Sequence, residues 1–284
     1  MRMKNKGYQV INLIVLAVTA GLFVHMLCTN FSLTVSGEFI LIMIAATVLV
    51  HLLKGLRLYI IMCESDISLS HFVKTYCKVI PVSMILPCKI GELYRMYCYG
   101  IEVKNYVEAV VVVLFDRLID TLGLVTMMLV ISLIFGMSMT PFLYILIGGL
   151  IVLFVLYYSF PGIYKFWNHH LIEGRSTERK LATLQFLSII NQFYQEIRKV
   201  SQGRWSLLFL LSIAAWVCEI GTVVFTGRLA ADEIGEAISR YLQSSMGSQM
   251  TDQFALFLVT SFVLLIGLYV VIRLFGSKKG GNNV

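Results

Sequence analysis

The stretch Val107–Phe135 reads VEAVVVVLFDRLIDTLGLVTMMLVISLIF, an apolar run of helix length that carries Asp116, Arg117 and Asp120 inside it. A charged side chain at the centre of a bilayer costs about 2.5 to 3.5 kcal/mol on an insertion scale. Three such charges cancel most of the free energy that the surrounding Leu, Ile, Val and Phe side chains contribute to insertion. The sequence therefore predicts that other groups compensate these charges, and that those partners belong to the functional site.

The composition of the whole chain is typical of a polytopic membrane protein. Of the 284 residues, 58% are hydrophobic and only 14% are charged, and the mean hydropathy is +0.82. A membrane-spanning helix needs about 20 apolar residues to cross about 30 Å of hydrocarbon. We therefore expect an all-α fold with about six transmembrane helices in a single polytopic domain, residues 1–284. The predicted spans are residues 8–28, 39–62, 107–135, 141–160, 205–230 and 254–275.

Basic residues in the short connections predict the orientation of these spans. Lys and Arg in cytoplasmic loops set the topology of a membrane protein, whereas Asp and Glu contribute little. If the N-terminus is cytoplasmic, all 23 Lys and Arg residues except Arg117, Arg228 and Arg240 lie on the cytoplasmic side or at its membrane edge. We therefore expect a multi-pass protein of the cytoplasmic (cell) membrane with both termini in the cytoplasm.

The charge and motif content narrow the expected partners. The net charge of +7 is spread over loops between apolar spans, so we expect no nucleic-acid partner and favour anionic phospholipid headgroups. The six cysteines include no C-x-x-C pair, so we expect neither a metal site nor a disulfide framework. The chain contains no Gly-rich phosphate loop, nucleophile elbow or H-E-x-x-H motif, and we expect no cofactor and no enzymatic activity.

The segment between the second and third predicted spans is too long and too apolar for a simple loop. A complete extra span here would place the basic stretch 165–204 outside, so we expect a re-entrant or interfacial element at about 71–100. In the re-entrant form, Pro81, Pro87 and Gly91 mark a helix-break-helix that faces a cavity, with Pro87 and Gly91 as its hinge. In the interfacial form, an amphipathic helix lies on the inner leaflet. The sequence leaves both forms open.

Residues 162–204 form the longest polar stretch of the chain, which we expect to be a cytoplasmic amphipathic linker. Apolar residues that recur at intervals of three and four predict one amphipathic helix within it. These residues are Phe186, Ile189, Ile190, Phe193 and Ile197. The stretch has neither the size nor the pattern of a soluble catalytic domain.

The charges of the third span lie toward one side of the membrane. Counting back about 20 residues from Phe135 places the inner end of that span near Asp116. The charges therefore fall in the cytoplasmic third of the membrane, which lowers their cost. A re-entrant segment at Pro87–Arg95 would reach the same depth from the same side.

The spacing of these charges predicts how they pair. Asp116 and Asp120 are four residues apart and share a helix face, while Arg117 reaches Asp120 at i, i+3. An Arg117–Asp120 pair would leave Asp116 to bind Lys89 or Arg95.

The functional interpretation of this set is an inward-facing site for an anionic headgroup. Its basic lining would be Lys89, Arg95 and Arg117, oriented by Glu92, Asp116 and Asp120. Glu219, well inside the fifth predicted span, is a candidate for the opposite wall. In the alternative interpretation, the charges form salt bridges that only hold the bundle together, and the sequence leaves this open. Lys54 and Arg57, near the inner end of the second span, are expected to snorkel to the interface.

Two short motifs together resemble a known family. They are LPCKIGELYR at Leu86–Arg95 and DRLID at Asp116–Asp120. The pair resembles the lysylphosphatidylglycerol synthase transmembrane family, also described as flippase-like, which includes the membrane part of the multiple peptide resistance factor. The resemblance covers residues 49–133 by motif and the rest only by hydropathy. The positions that match the family pattern are Pro87, Lys89, Gly91, Glu92, Arg95, Asp116, Arg117 and Asp120.

The resemblance implies a helical membrane fold that handles modified phospholipids or polyprenyl-linked lipids at the cytoplasmic membrane. One departure concerns a second Pro-Gly-rich motif ending in Glu, which members carry in the C-terminal half. Here no proline follows Pro161, and residues 244–252 offer only Gly247. The soluble aminoacyltransferase domain of the resistance factor is not found either, so we expect that this chain alone does not aminoacylate a lipid.

Three functions follow from these observations. The first is membrane translocation, a flippase-like handling of an anionic lipid or lipid-linked substrate through the charged site. The second is a non-catalytic membrane partner of a lipid- or polysaccharide-modifying enzyme, or a homo-oligomer. The third is an enzyme that acts on a lipid headgroup with a carboxylate as base, against which the missing nucleophile and metal motifs count.

Overall fold

The computed structural model describes residues 2–30, 37–65, 67–86, 90–136, 141–172, 178–227, 233–245 and 251–279. These residues form α-helices and no strand, which confirms the predicted all-α class. The helices are α1 (Arg2–Asn30), α2 (Gly37–Ile61), α3 (Leu69–Ile85), α4 (Ile90–Val103), α5 (Tyr106–Phe135), α6 (Pro141–Ile172), α7 (Glu178–Ser201), α8 (Trp205–Gly227), α9 (Ile234–Ser245) and α10 (Asp252–Lys279).

Six of these helices are long and apolar enough to cross a membrane, as the sequence predicts. The protein is therefore a multi-pass membrane protein. The apolar segments are Val10–Cys28, Phe39–Ile61, Tyr106–Phe135, Pro141–Ile172, Trp205–Thr226 and Asp252–Leu274. Because two crossings separate the start of α1 from the start of α3, these two helix ends lie on the same face of the membrane.

The region expected as one polar linker is divided differently in the structure. Helix α6 continues through Pro161 to Ile172, and α7 forms the amphipathic helix. Phe186 is 62% exposed, whereas Phe193 and Ile197, in the C-terminal half of α7, line a cavity against the bundle. The apolar face of α7 therefore packs only over its second half.

The centre of the bundle is built by α2, α5 and α8. Helix α2 packs along α8, and α5 packs against α8 and α4. Helix α10 packs against α3 and α2, α9 lies against α5 and α8, and α6 packs on α5 and α7. The fully buried side chains Leu58, Val112, Ile119 and Leu208 join the three central helices. A charged residue on an inner face of these helices is thus enclosed by protein.

Helices α3 and α4 form a helical hairpin, which corresponds to the helix-break-helix, one of the two forms that the sequence leaves open for residues 71–100. Helix α3 begins after Ser68, whose hydroxyl accepts a hydrogen bond from the backbone N–H of His71. Helix α3 continues through Pro81 and ends at Ile85, so the helix does not break at Pro81. Pro87, which we expected as a hinge, lies outside the described residues.

Gly91, which we expect as a hinge, lies in the first turn of α4 and packs closely against α3. A Cβ atom at Gly91 would lie 2.4 Å from Cα of Ser83 and 3.0 Å from the carbonyl oxygen of Val82. Both contacts are with the backbone of α3, which cannot rotate away as a flexible side chain would. The absence of a side chain at Gly91 is therefore what lets the two helices of the hairpin approach each other.

Replacing Gly91 with alanine is expected to push the hairpin apart and to destabilise the protein by about 1 to 3 kcal/mol, the usual cost of overpacking. The measurement is thermal unfolding of the purified protein in detergent. Gly148→Ala is the matched control, because nothing lies within 4 Å of a Cβ at that exposed position in α6. Equal stability of the two variants would contradict the packing role of Gly91.

Candidate functional site

Helix α5 carries three of the charged residues that the sequence singles out. It begins after Asn105, whose side chain accepts hydrogen bonds from the first-turn backbone N–H groups, and it ends at Gly136 with φ 62°. At 1.5 Å per residue, Asp116 and Asp120 lie about 15 and about 21 Å along the helix from its start. The carboxylates are therefore well inside the bundle.

Arg57 of α2 binds both of these carboxylates. Its Nε atom donates to Oδ1 of Asp116 at 2.9 Å, and its Nη1 atom donates to Oδ1 of Asp120 at 2.8 Å. Nη1 also donates to Oγ of Ser212 in α8 at 2.9 Å. Arg57 is only 2% exposed, so the expectation that it snorkels to the interface was wrong. The two α5 carboxylates accept hydrogen bonds from its guanidinium inside the protein, so the Arg57 side chain does not need to extend to water.

Arg95 of α4 is the second buried cation, and it pairs with Asp116, for which the sequence predicts either Lys89 or Arg95 as the partner. Its Nη2 atom donates to Oδ2 of Asp116 at 2.6 Å, and Nη1 lies 3.6 Å from Oε2 of Glu92. Burial alone disfavours the charged form of Arg95, but the Asp116 and Glu92 carboxylates outweigh it and raise the pKa of this guanidinium above its ordinary value. Arg95 therefore stays charged inside the protein.

Arg117 is the third cation of this group, and it lies on a more exposed face of α5. It contacts Oε1 of Glu92 through Nη2, and its Nη1 atom lies 3.8 Å from Oδ2 of Asp120. The predicted Arg117–Asp120 pair is thus present as a long contact, and the closer partner of Arg117 is Glu92.

These contacts close into a ring in which cations and anions alternate, and we call it the charge ring. Three cations and three anions balance, which lowers the cost of removing each of them from water. Its members, in order, are Arg57, Asp116, Arg95, Glu92, Arg117 and Asp120. The charge ring joins α2, α4 and α5, which favours the bundle-stabilising interpretation for its buried members.

Glu219 of α8 pairs with the other basic residue of α2. Lys54 contacts Oε1 of Glu219, and its Nζ atom lies 5.0 Å from the ring centroid of Trp216. The indole N–H of Trp216 donates to the backbone carbonyl of Asp120 at 3.2 Å. The hydroxyl of Tyr241, in α9, donates to Oε2 of Glu219 at 3.5 Å. Glu219 therefore lies beside the charge ring, between α2 and α9.

Arg117 differs from the rest of the charge ring in its exposure. Its side chain is 43% exposed, whereas those of the other members are 14% exposed or less. It lines a cavity of about 400 Å³ between α5, α6, α7 and the start of α8. Apolar side chains such as Leu114, Leu153, Phe154, Phe193 and Trp205 form the walls, and Arg117 is the one charged residue among the described lining residues. The arrangement presents a single cation to an apolar space.

Lys89, which we expected to line the site, lies outside the described residues. Within the described ranges, no three His, Cys, Asp or Glu side chains are grouped so that they could hold a metal ion. Of the predicted site residues that the structure describes, Glu92, Arg95, Asp116, Arg117 and Asp120 come together directly, and Glu219 comes next to them. The structure also brings Arg57 and Lys54 into the site, and the sequence did not predict this for either residue.

Replacing Arg57 with methionine should destabilise the fold by about 3 to 5 kcal/mol, because it leaves two buried carboxylates with an incomplete set of partners. Arg117→Met is the control, since removing a half-exposed cation costs about 1 kcal/mol or less. The measurement is the free energy of unfolding of each purified variant in mixed micelles. Similar values for the two variants would show that Arg57 does not hold the site together.

A comparison with protein families gives one match. The model of the family described as the lysylphosphatidylglycerol synthase TM region matches residues 9–231, which is well over half of the chain. Neither the curated proteins nor the solved structures gave a match. The family match indicates a membrane function related to lipids and agrees with the resemblance of the two motifs. The chain therefore belongs to the lysylphosphatidylglycerol synthase transmembrane family.

Proposed function

We propose that the protein moves an anionic lipid, or a lipid-linked anionic substrate, across the cytoplasmic membrane, and that Arg117 binds its headgroup. The observation that carries the proposal is the position of Arg117, the exposed cation of the charge ring at the wall of an apolar cavity. A guanidinium presents paired donors that match a phosphate group. The apolar walls suit the acyl chain of the same molecule.

The contacts of Arg117 support a link between headgroup binding and the hairpin. Arg117 touches Glu92 of α4, and Glu92 also lies near Arg95. A headgroup phosphate at Arg117 competes with Glu92 for the same guanidinium donors, and the released carboxylate turns to Arg95. The contact between α4 and α5 therefore depends on occupancy of the site, and the hairpin is the element that we expect to shift during transport.

The proposed orientation has both termini in the cytoplasm. Arg117 lies in the first half of α5, nearer the face that also carries the starts of α1 and α3. The excess of Lys and Arg on that face supports its assignment as cytoplasmic. The cavity then faces the inner leaflet, from which it would take its lipid.

We propose a role without chemical catalysis, in which the charged residues bind and orient a lipid that leaves unchanged. The alternative is a membrane partner of a lipid- or polysaccharide-modifying enzyme, and a transport experiment separates the two.

The experiment is leaflet exchange in proteoliposomes that contain fluorescent phosphatidylglycerol, with a membrane-impermeant quencher that reports the outer leaflet. Wild type should exchange the lipid, and Arg117→Ala should lower the rate by at least about tenfold, which corresponds to about 1.4 kcal/mol. Arg240→Ala is the matched control, because Arg240 is an exposed arginine that pairs with Glu236 on α9, away from the cavity.

Three results would contradict the proposal. They are equal exchange by wild type and Arg117→Ala, equal loss in Arg240→Ala, and no exchange by folded wild-type protein. The last result would instead favour the membrane-partner role.

A further inference from the structure

Lys78 of α3 is a buried cation that the charge ring does not include. It is 8% exposed, and among the described residues no carboxylate oxygen lies within 4.0 Å of its Nζ atom. Within the described ranges, the other Lys or Arg side chains buried to this degree are Arg57 and Arg95, and each has a carboxylate partner. Lys78 is therefore enclosed without the countercharge that this protein supplies elsewhere.

The groups around Lys78 are neutral. Its Nζ atom donates to the hydroxyl of Tyr8 in α1 at 2.7 Å and lies 3.7 Å from Sγ of Cys98 in α4. It also lies 4.7 Å from the ring centroid of Tyr8 and 5.4 Å from that of Tyr94. The Tyr94 hydroxyl donates to Oδ1 of Asn12 at 2.6 Å. These neutral groups join α1 to both helices of the hairpin around Lys78.

Among the described residues, the group of side chains around Lys78 contains no anion. A lysine ammonium has three N–H donors, and two neutral groups occupy at most two of them. The two aromatic faces offset part of the burial cost through cation–π contacts. An isolated buried ammonium is strongly disfavoured, so these neutral contacts leave room for an anionic ligand to stabilise the site.

We propose that Lys78 is the cation of a second anion site, which binds a phosphate group where α1 crosses the hairpin. This site is separate from the charge ring, because Tyr94 and Cys98 point from α4 toward α1 and α3, whereas Glu92 and Arg95 point toward α5.

The position of Tyr8 indicates where the phosphate would come from. Tyr8 is half-buried and lies two residues before Val10, where the first apolar span begins, so the site is at the edge of the membrane. Just beyond it, α1 exposes Val10 (55%), Leu13 (72%) and Ile14 (56%). A lipid phosphate would contact Lys78 at headgroup depth, and the acyl chains of the same lipid would contact the apolar face of α1. Inorganic phosphate would contact Lys78 alone.

A lipid held at Lys78 would tie α1 to the hairpin. The site thus provides a way for an anionic lipid to act on the element that carries Glu92 and Arg95 without entering the cavity at Arg117. This inference does not depend on transport, because it concerns binding at a separate place.

The test is native mass spectrometry of the purified protein in detergent, titrated with dihexanoylphosphatidylglycerol, with dihexanoylglycerol and with inorganic phosphate. Lys78→Met should weaken phosphatidylglycerol binding at one site by about tenfold, and Lys78→Arg should retain it. The same loss should appear in an Arg117→Met background, because the two sites are independent. Tighter binding of phosphatidylglycerol than of inorganic phosphate would assign the site to a lipid, and equal binding to phosphate itself.

Unchanged phosphatidylglycerol binding by folded Lys78→Met would overturn the proposal. Binding of the phosphate-free dihexanoylglycerol as strong as that of phosphatidylglycerol would also overturn it, since apolar contacts would then suffice. If Lys78→Met does not fold, Tyr8→Phe carries the test, because it removes only the hydroxyl beside Nζ. That variant should bind phosphatidylglycerol at least about threefold more weakly, and an affinity equal to that of wild type would contradict the site.

Discussion

The fold depends on the cost of enclosing Asp116 and Asp120 inside a membrane protein. Carboxylates at that depth require cations with good geometry, and Arg57 satisfies both of them from a neighbouring helix. Arg95 then shares Asp116 from the hairpin, and Ser212 accepts from Arg57 on a fourth helix. One electrostatic requirement on α5 thus fixes the positions of α2, α4 and α8 around it. Buried apolar side chains also pack between the central helices α2, α5 and α8.

The balanced ring has a second consequence, which concerns function. Its buried members are already paired with one another as ions, so they are poorly suited to bind a substrate directly. Arg117 belongs to the same ring but faces an apolar cavity, where an anion can reach it. In the proposed function, Arg117 is both a member of the charge ring and the residue that binds the headgroup, and occupancy of the cavity acts on the hairpin through Glu92. The family match, which indicates a function related to lipids, is consistent with an anionic headgroup as the ligand.

The spans could be predicted from the sequence, because apolar length is a property of the chain itself. The hairpin and the Arg95–Asp116 pair are each one of two alternatives that the sequence leaves open. The role of Arg57 could not, since a basic residue near the end of a span either snorkels or pairs, and only tertiary contacts decide. One signal was present: Arg57 is a charged residue within an apolar span, and a pair of acids lies within another apolar span, α5. Span sequences that are apolar all round carry no period that shows which face is buried, so the exposure of Arg117 could not be predicted. The close approach at Gly91 could not be predicted either, because it depends on how α3 and α4 pack together.

The most direct test of the central claim is a double-mutant cycle between Arg57 and Asp120. The free energies of unfolding of Arg57→Met, Asp120→Asn and the double variant would be compared with that of wild type in the same micelles. If the two side chains compensate each other inside the bundle, the double variant loses less stability than the two single losses together, by about 0.5 to 3 kcal/mol. Simple additivity of the two losses would contradict the account, because it would mean that Arg57 and Asp120 stabilise the fold independently.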